Sequence, residues 1–291
     1  MKIARKFGTA LVLGVFVLSL SAPRPSGLRA DEPKKARMLM VTVSKTFTHE
    51  PVKREKNDLA PAEVAVTQIG QQSGLYTVDC TQDPKADFTI DNLKKYDLVF
   101  FYTQGPDLEI SKEALDYFFG TWLKQKGHGF IATHSSTDTY GDYQPYWDMI
   151  GGTFDGHPWN AGDTVTITVH DTKHPGSKMW GNEFSIKDEI YQYKHWQPEK
   201  VHVLMSLNMA KCGLKKPYHV PISWVKEYGD GKIFYTNLGH NKDTWANKTY
   251  RESILGGIRW VMGLDEGDAT PNPEVSKAQD EKSKKDAGEQ K

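Results

Sequence analysis

Residues 129–138 read GFIATHSSTD. The first five are apolar, small or β-branched, a run with the length of a buried strand rather than of a helix. The run stops on His134, and a cluster of hydroxyls follows, ending in Asp138. In many α/β hydrolytic folds the residue just past such a strand is the catalytic Ser or Cys. Here that place is held by a histidine. The stretch therefore poses both the fold and the chemistry.

Working outward, DLVFFYT (97–103) is a second apolar strand. Between the two lies SKEALDYFFGTWLKQKG (111–127), where Leu115, Phe118, Phe119 and Trp122 recur at helical spacing. Ser111 reads as its N-cap and Gly127 as its stop. Upstream, ARMLMVTVS (36–44) is nearly continuous in apolar residues, residues 53–73 read as a helix ending before Gly74, and YTVDC (76–80) reads as a further strand. Strand, helix and apolar strand in alternation predict βαβ units, hence an α/β fold with a doubly wound, mostly parallel sheet flanked by helices. The second half is richer in strands: 164–170, 201–207, 221–229 and 232–240, with Asp230-Gly231 as a hairpin turn. YRESILGGIRWVMG (250–263) is a closing helix.

Open parallel sheets bind ligands at the carboxyl ends of their strands. His49, Gln104, His134 and His240 all fall just past predicted strands. One such histidine is commonly a satisfied core or surface residue; three at one sheet edge point to a pocket. GGTFDGHPWN (151–160) carries Asp155, His157 and Trp159 in a defined turn. KDEIYQYKHW (187–196) carries Glu189 and Tyr191 among carboxylates and aromatics, a combination that suits sugar recognition, although an amphipathic edge strand would look the same. Metal motifs of fixed spacing, a Gly-rich phosphate loop and GxSxG are all absent from the sequence.

The chain opens with basic Lys2, Arg5 and Lys6, an apolar stretch from Ala10 to Leu20, and small residues up to Ala30. Residues 1–30 read as a secretory signal peptide, with an uncleaved N-terminal anchor as the other reading. The expected location is secreted or periplasmic. Removing the five basic residues of that segment from 37 leaves 32 basic against 37 acidic residues. This balance argues against a general nucleic-acid or membrane-surface partner. Cys80 and Cys212 are too few for a disulfide scaffold, and one bridge or two ordinary thiols both remain open. Residues 265–291 carry Val275 as their only large aliphatic side chain and are expected to form a disordered charged tail.

The motifs FTHE (47–50), GFIATHSSTDT (129–139), GGTFDGHPW (151–159), DEIYQY (188–193), PISWVKEYGDGKIFYTNLGH (221–240) and ILGGIRW (254–260) resemble the ThuA-like (trehalose utilisation) domain, as does DPKADFTIDNLKKYDLVFFYTQG (83–105). The resemblance covers residues 36–263. It implies a class I glutamine amidotransferase-like fold, carbohydrate use and, as in some members, a bound zinc ion. The family's recurrent positions fall here on His49, Glu50, His134, Asp138, Asp155, His157, Glu189 and His240. His134 stands near the place of the amidotransferase nucleophile and His240 near that of its catalytic histidine, so amidotransferase chemistry is not expected.

The resulting expectation is a sugar-processing enzyme, a metal-assisted or His acid/base hydrolase or lyase. His134, His240, Asp138 and Glu189 are its catalytic candidates. His49, Glu50, Gln104, Asp155, His157, Trp159 and Tyr191 are the substrate-binding candidates, and His134, His157 and His240 the ligands of a divalent metal such as zinc. The partner is then a carbohydrate or sugar derivative. A non-catalytic sugar-binding module and a structural domain that lost its site are the alternatives.

Overall fold

The expected run of apolar strands pairs into one nine-stranded sheet. A computed structural model describes residues 35–56 and 58–288; the predicted signal peptide lies outside the described residues. The strands are Ala36–Val41 (β1), Tyr76–Thr81 (β2), Leu98–Phe101 (β3), Gly129–Thr133 (β4), Thr153–Phe154 (β5), Thr164–Val169 (β6), Glu183–Lys187 (β7), Tyr193–Lys194 (β8), His202–Leu207 (β9), Pro221–Tyr228 (β10) and Gly231–Thr236 (β11). The sheet order is β2-β1-β3-β4-β11-β10-β9-β6-β7, and β5 pairs with β8 apart from it. The half from β2 to β11 is parallel; from β11 to β7 every pairing is antiparallel.

The parallel half is buried on both faces, which is why its strands read as unbroken apolar runs. Met38 and Met40, Leu98 and Phe100, Ile131 and Phe234 face one core, with Ala65, Val66 and Ile69 from the helix Pro61–Ser73 and Ile254 and Ile258 from the helix Lys248–Val261. Leu39 and Val41, Val99 and Phe101, Phe130, Ala132 and Tyr235 face the other, with Phe118 and Trp122. The alternation of faces along each strand is the period of two expected of extended chain.

Several local expectations shift for identifiable reasons. The first helix starts at Pro61, not near 53, because the Glu63 carboxylate returns to the Ala60 N–H at 2.8 Å and fixes the start there. The helix capped by Ser111 runs Lys112–Tyr117 and then widens into a π-helical turn, Phe118–Trp122. In the hairpin, Tyr228 pairs with Gly231, so the two-residue loop is Gly229-Asp230, with Gly229 at φ +65°.

The disordered tail expected over 265–291 is not what the structure shows for its described part. Residues Pro273–Asp286 form a helix. Composition misled because the anchor is polar. Where β6 ends opposite Met205, the backbone of Val203 is left without a strand partner on that side. The Asn272 side chain accepts from the Val203 N–H at 2.7 Å and donates to its carbonyl at 3.1 Å. Val275 then packs against the second core. Cys80 and Cys212 are free thiols. No helix among the described residues is long and apolar enough to cross a membrane.

Candidate metal centre at the carboxyl edge of the sheet

β1, β3, β4 and β11 are parallel, so their carboxyl ends open on one edge. Strand order reverses between β1 and β3, the position at which open α/β sheets hold ligands. His134 follows β4 directly. Its φ is +44°, a left-handed conformation that a residue with a Cβ rarely adopts. The chain turns there from strand into a short 3₁₀ helix, His134–Asp138. This is the sharp strand-to-helix turn that in hydrolytic folds projects a nucleophile. Strain of this kind costs about 1–3 kcal/mol and persists where neighbours fix it. Here the Tyr235 hydroxyl donates to the His134 carbonyl at 2.8 Å, and the Ser136 hydroxyl donates to the Phe101 carbonyl at 2.6 Å.

His240 is reached from β11 through Asn237, Leu238 and Gly239. Gly239 has φ +124°, and a Cβ there would lie 2.8 Å from the Tyr250 hydroxyl and 2.9 Å from that of Thr133. The loop is clamped from below. Tyr102 and Trp245 donate to the Gly239 carbonyl at 2.8 and 2.9 Å. The buried Asp188 carboxylate accepts from the N–H groups of Gly239 at 2.8 Å and Asn241 at 2.9 Å, one on each side of His240. It also accepts from the Thr244 hydroxyl at 3.0 Å and the Glu189 N–H at 3.2 Å. Asp188 thus ties the two stretches that deliver His240 and Glu189.

The side chains of His49, His134, Glu189 and His240 converge, each offering one donor atom within 4.8 Å of the others. Glu189 Oε2 lies 3.0 Å from His240 Nδ1 and 3.4 Å from His134 Nε2, and the two nitrogens lie 3.1 Å apart. His134 Nδ1 lies 2.8 Å from the Asn237 carbonyl. A carbonyl only accepts, so the proton sits on Nδ1 and the Nε2 lone pair faces the cluster. His49 Nε2 contacts the Tyr191 hydroxyl at 3.1 Å, while its Nδ1 is buried without a hydrogen-bond partner. Burial, with the neighbouring imidazoles of His134 and His240, pushes His49 down to about 2, so it is neutral. Burial would raise the Glu189 carboxyl, but the imidazoles of His134 and His240 beside it outweigh burial and hold the group below its usual range.

This donor set fits a divalent transition metal. A tetrahedron with arms of about 2.05 Å has edges of about 3.3 Å, close to the 3.0–3.4 Å separations among Glu189, His134 and His240, and His49 lies within 4.8 Å of these three. An imidazole held by a carbonyl at Nδ1 is the usual outer-shell arrangement of a metal-binding histidine. The orphaned Nδ1 of His49, costly if left unpaired, is the most direct sign.

The other candidates separate around this centre. His157, read as a metal ligand, lies outside the converging group: its side chain is 48% exposed, with Nδ1 3.4 Å from Glu189 Oε1, the oxygen turned away from the cluster. Asp138, a catalytic candidate from the sequence, lies outside the converging group and accepts from Gln104 Nε2 at 2.8 Å. Gln104 in turn accepts from the N–H groups of Thr46 and Phe47 at 3.0 and 3.1 Å, so the pair secures the loop that carries His49. Trp159, a substrate-binding candidate from the sequence, is 2% exposed and donates to the Cys212 carbonyl; it has no open face. Tyr191 packs on His134 with ring centroids 4.2 Å apart and is a wall of the centre. Asp155 is exposed, and Glu50 pairs at the surface with Lys242 at 3.0 Å. Sequence reasoning passed over Asp188 and Asn237. Their roles are long-range, and only the position of Asp188 beside Glu189 hinted at one.

Comparison with known proteins agrees with this architecture. The structure of a ThuA-like protein from Bacteroides uniformis superposes with a TM-score of 0.63 at 20% identity, covering 86% of this chain and all (100%) of that one. One from Parabacteroides merdae gives 0.61 at 15% identity, covering 84% and 99%. A cytoplasmic protein from Salmonella typhimurium gives 0.55 at 11% identity, covering 78% and 98%. At these identities the likeness is one of fold. No curated protein sequence matches the chain. The profile of the ThuA family, described as trehalose utilisation, matches residues 37–261. The chain belongs to the ThuA family of trehalose utilisation.

Proposed function

We propose that the protein is a carbohydrate-processing enzyme, a hydrolase or lyase of a sugar or sugar derivative, built on a divalent metal centre for which zinc is the favoured ion. The observation that carries this reading is the convergence of His49, His134, Glu189 and His240 at the strand ends, with the buried Nδ1 of His49 unpartnered. When bound by these four, the ion would supply Lewis-acid chemistry to a carbonyl or to water.

The chain's own groups define the rest. His134 keeps its proton on Nδ1 against Asn237 and offers only a lone pair inward. Glu189 stays anionic and balances the charge of the centre. His157 stands between Glu189 and solvent, placed to carry a proton in or out. An open groove of about 460 Å³ reaches His240, lined by Glu50, Lys187, Asn241, Lys242 and Asp243, which offer donors and acceptors to hydroxyls. Cys80 is not a nucleophile for this chemistry: burial pushes its thiol up to about 12, and it lies on β2, at the edge of the sheet.

The test is elemental analysis of purified wild type and His134→Ala, followed by incubation with disaccharides and their oxidised derivatives and product analysis. Stoichiometric metal lost with His134, and turnover lost with it, are expected. A metal-free wild type that folds and turns over would sink the proposal. Binding without conversion would reduce the protein to a sugar-binding module. The N-terminal segment supports export, and a mature N-terminus near residue 31 is the expected result of protein sequencing.

A further inference from the structure

The geometry points to a second, separate binding site for a single neutral sugar ring, beneath the C-terminal helix Pro273–Asp286. A cavity of about 280 Å³ is lined by Tyr193, Trp196, His219, Pro221, Ser276 and Asp280. None of these belongs to the His/Glu centre. Ser276 and Asp280 come from a helix that begins after residue 261, where the family match ends, so this wall is an addition to the common domain.

Size and chemistry select the ligand. The volume is near the lower limit of about 300 Å³ for small-molecule pockets, enough for one ring and too small for two. Trp196 and Tyr193 lie with ring centroids 6.3 Å apart and planes tilted by 32°, which gives the cavity an aromatic wall for the apolar face of a pyranose. Asp280 and Ser276, one helical turn apart, bring a carboxylate and a hydroxyl to the opposite side. Two polar atoms at this place have no partner in the protein: the Trp196 indole N–H and the Ser276 hydroxyl, whose residue is 8% exposed. Unpaired buried polar groups are costly, and shifting to meet a ligand hydroxyl would satisfy them. His219 is held by the Ser206 hydroxyl at 2.8 Å and burial keeps it neutral, while Asp280 holds Lys284 Nζ at 2.6 Å through Oδ2, so the charge on that wall is already balanced and suits an uncharged ligand.

The experiment uses the full chain labelled at its tryptophan indole nitrogens and titrated with methyl α-glucoside and methyl β-galactoside. The Trp196 N–H resonance, assigned through Trp196→Phe, is expected to shift saturably with at least one of them. His134→Ala should leave that shift unchanged, which separates it from the proposed metal centre. Ser276→Phe, which fills the cavity, should weaken it about tenfold or more, a change of about 1.4 kcal/mol. Asp280→Ala, at the helix surface, should weaken it in the same sense and serves if Ser276→Phe does not fold. No saturable shift in the wild type, or an equal shift in both cavity variants, overturns the site. A shift with choline but with neither glycoside overturns the sugar and makes the cavity a cation cage.

Discussion

Nε2 of His134 lies 3.1 Å from Nδ1 of His240, and the two histidines, 106 residues apart, end adjacent parallel strands. Two unprotonated imidazole nitrogens at this distance repel unless a proton or a metal lies between them. With Glu189 Oε2 3.0 Å from the second, the proposed metal would meet all three atoms. His134→Ala and His240→Ala should each lower zinc affinity by about a hundredfold or more, since each removes a proposed ligand and even outer-shell losses cost about 10–100-fold. His157→Ala should stay within a few-fold of wild type, because His157 faces the outer oxygen of Glu189. Competition titration against a chelating dye measures all three. An equal loss in His157→Ala would make His157 a ligand.

Asp188 supplies no ligand, yet it should control affinity. Its carboxylate accepts hydrogen bonds on both sides of His240 and from the Glu189 N–H. Asp188→Asn keeps the shape and turns an NH₂ toward donors. Outer-shell losses of this kind cost about 10–100-fold in metal affinity. The expected result is weakened zinc binding with unchanged stoichiometry and unchanged far-ultraviolet circular dichroism. Wild-type affinity in this variant would show that His240 needs no clamp.

The parallel half of the sheet was legible because its strands are buried on both faces and read as plain apolar runs. The edge strand β7 was not, since its alternation, EFSIK, leaves only Phe184 and Ile186 half-buried. The strand-end rule singled out His49, His134 and His240 correctly as neighbours. It could not choose between Asp138 and Glu189, because that choice depends on how the loop after β7 folds back across the sheet edge. Trp159 shows the reverse error: a residue taken as a substrate-binding candidate is buried, with its indole N–H spent on the Cys212 carbonyl. The terminal helix escaped because one asparagine paired to a free backbone edge replaces the apolar area that composition counts.

Arg54 should prove a large single contributor to stability near β1. Glu63 is fully buried, and Arg54 meets its carboxylate through Nε at 2.9 Å and through Nη2 at 2.8 Å. The same carboxylate receives the Thr42 hydroxyl and the Ala60 N–H. Arg54→Ala leaves a buried charge uncompensated, at a cost of about 3–5 kcal/mol. Arg54→Ala with Glu63→Gln should recover part of that loss, because the charge is gone while hydrogen-bonding capacity remains. Urea unfolding of the single and double variants distinguishes the cases, and a double variant no more stable than Arg54→Ala would contradict the reasoning.

Stability should fall on mild acidification, through His49 in the His/Glu centre and through three histidines outside it. Burial pushes the imidazoles of His170 and His174 down to about 4 and that of His219 to about 3, the last also through His170 nearby. In the unfolded chain each titrates near about 6.5. Between pH of about 6.5 and about 4 the unfolded state therefore binds more protons than the folded one, and stability drops as pH falls through that window. Above about 6.5 these groups add no slope. Each tenfold difference in proton affinity between the two states is worth about 1.4 kcal/mol, so the three together remove several kcal/mol by the acid end of the window. Glutamine at 219 keeps an acceptor for the Ser206 hydroxyl but cannot titrate. With His49 as a fourth such histidine, His219→Gln should therefore lose about a quarter less stability than wild type between pH of about 7 and about 4.5, read from urea midpoints at the two values. Identical losses in the two proteins would place the acid sensitivity elsewhere.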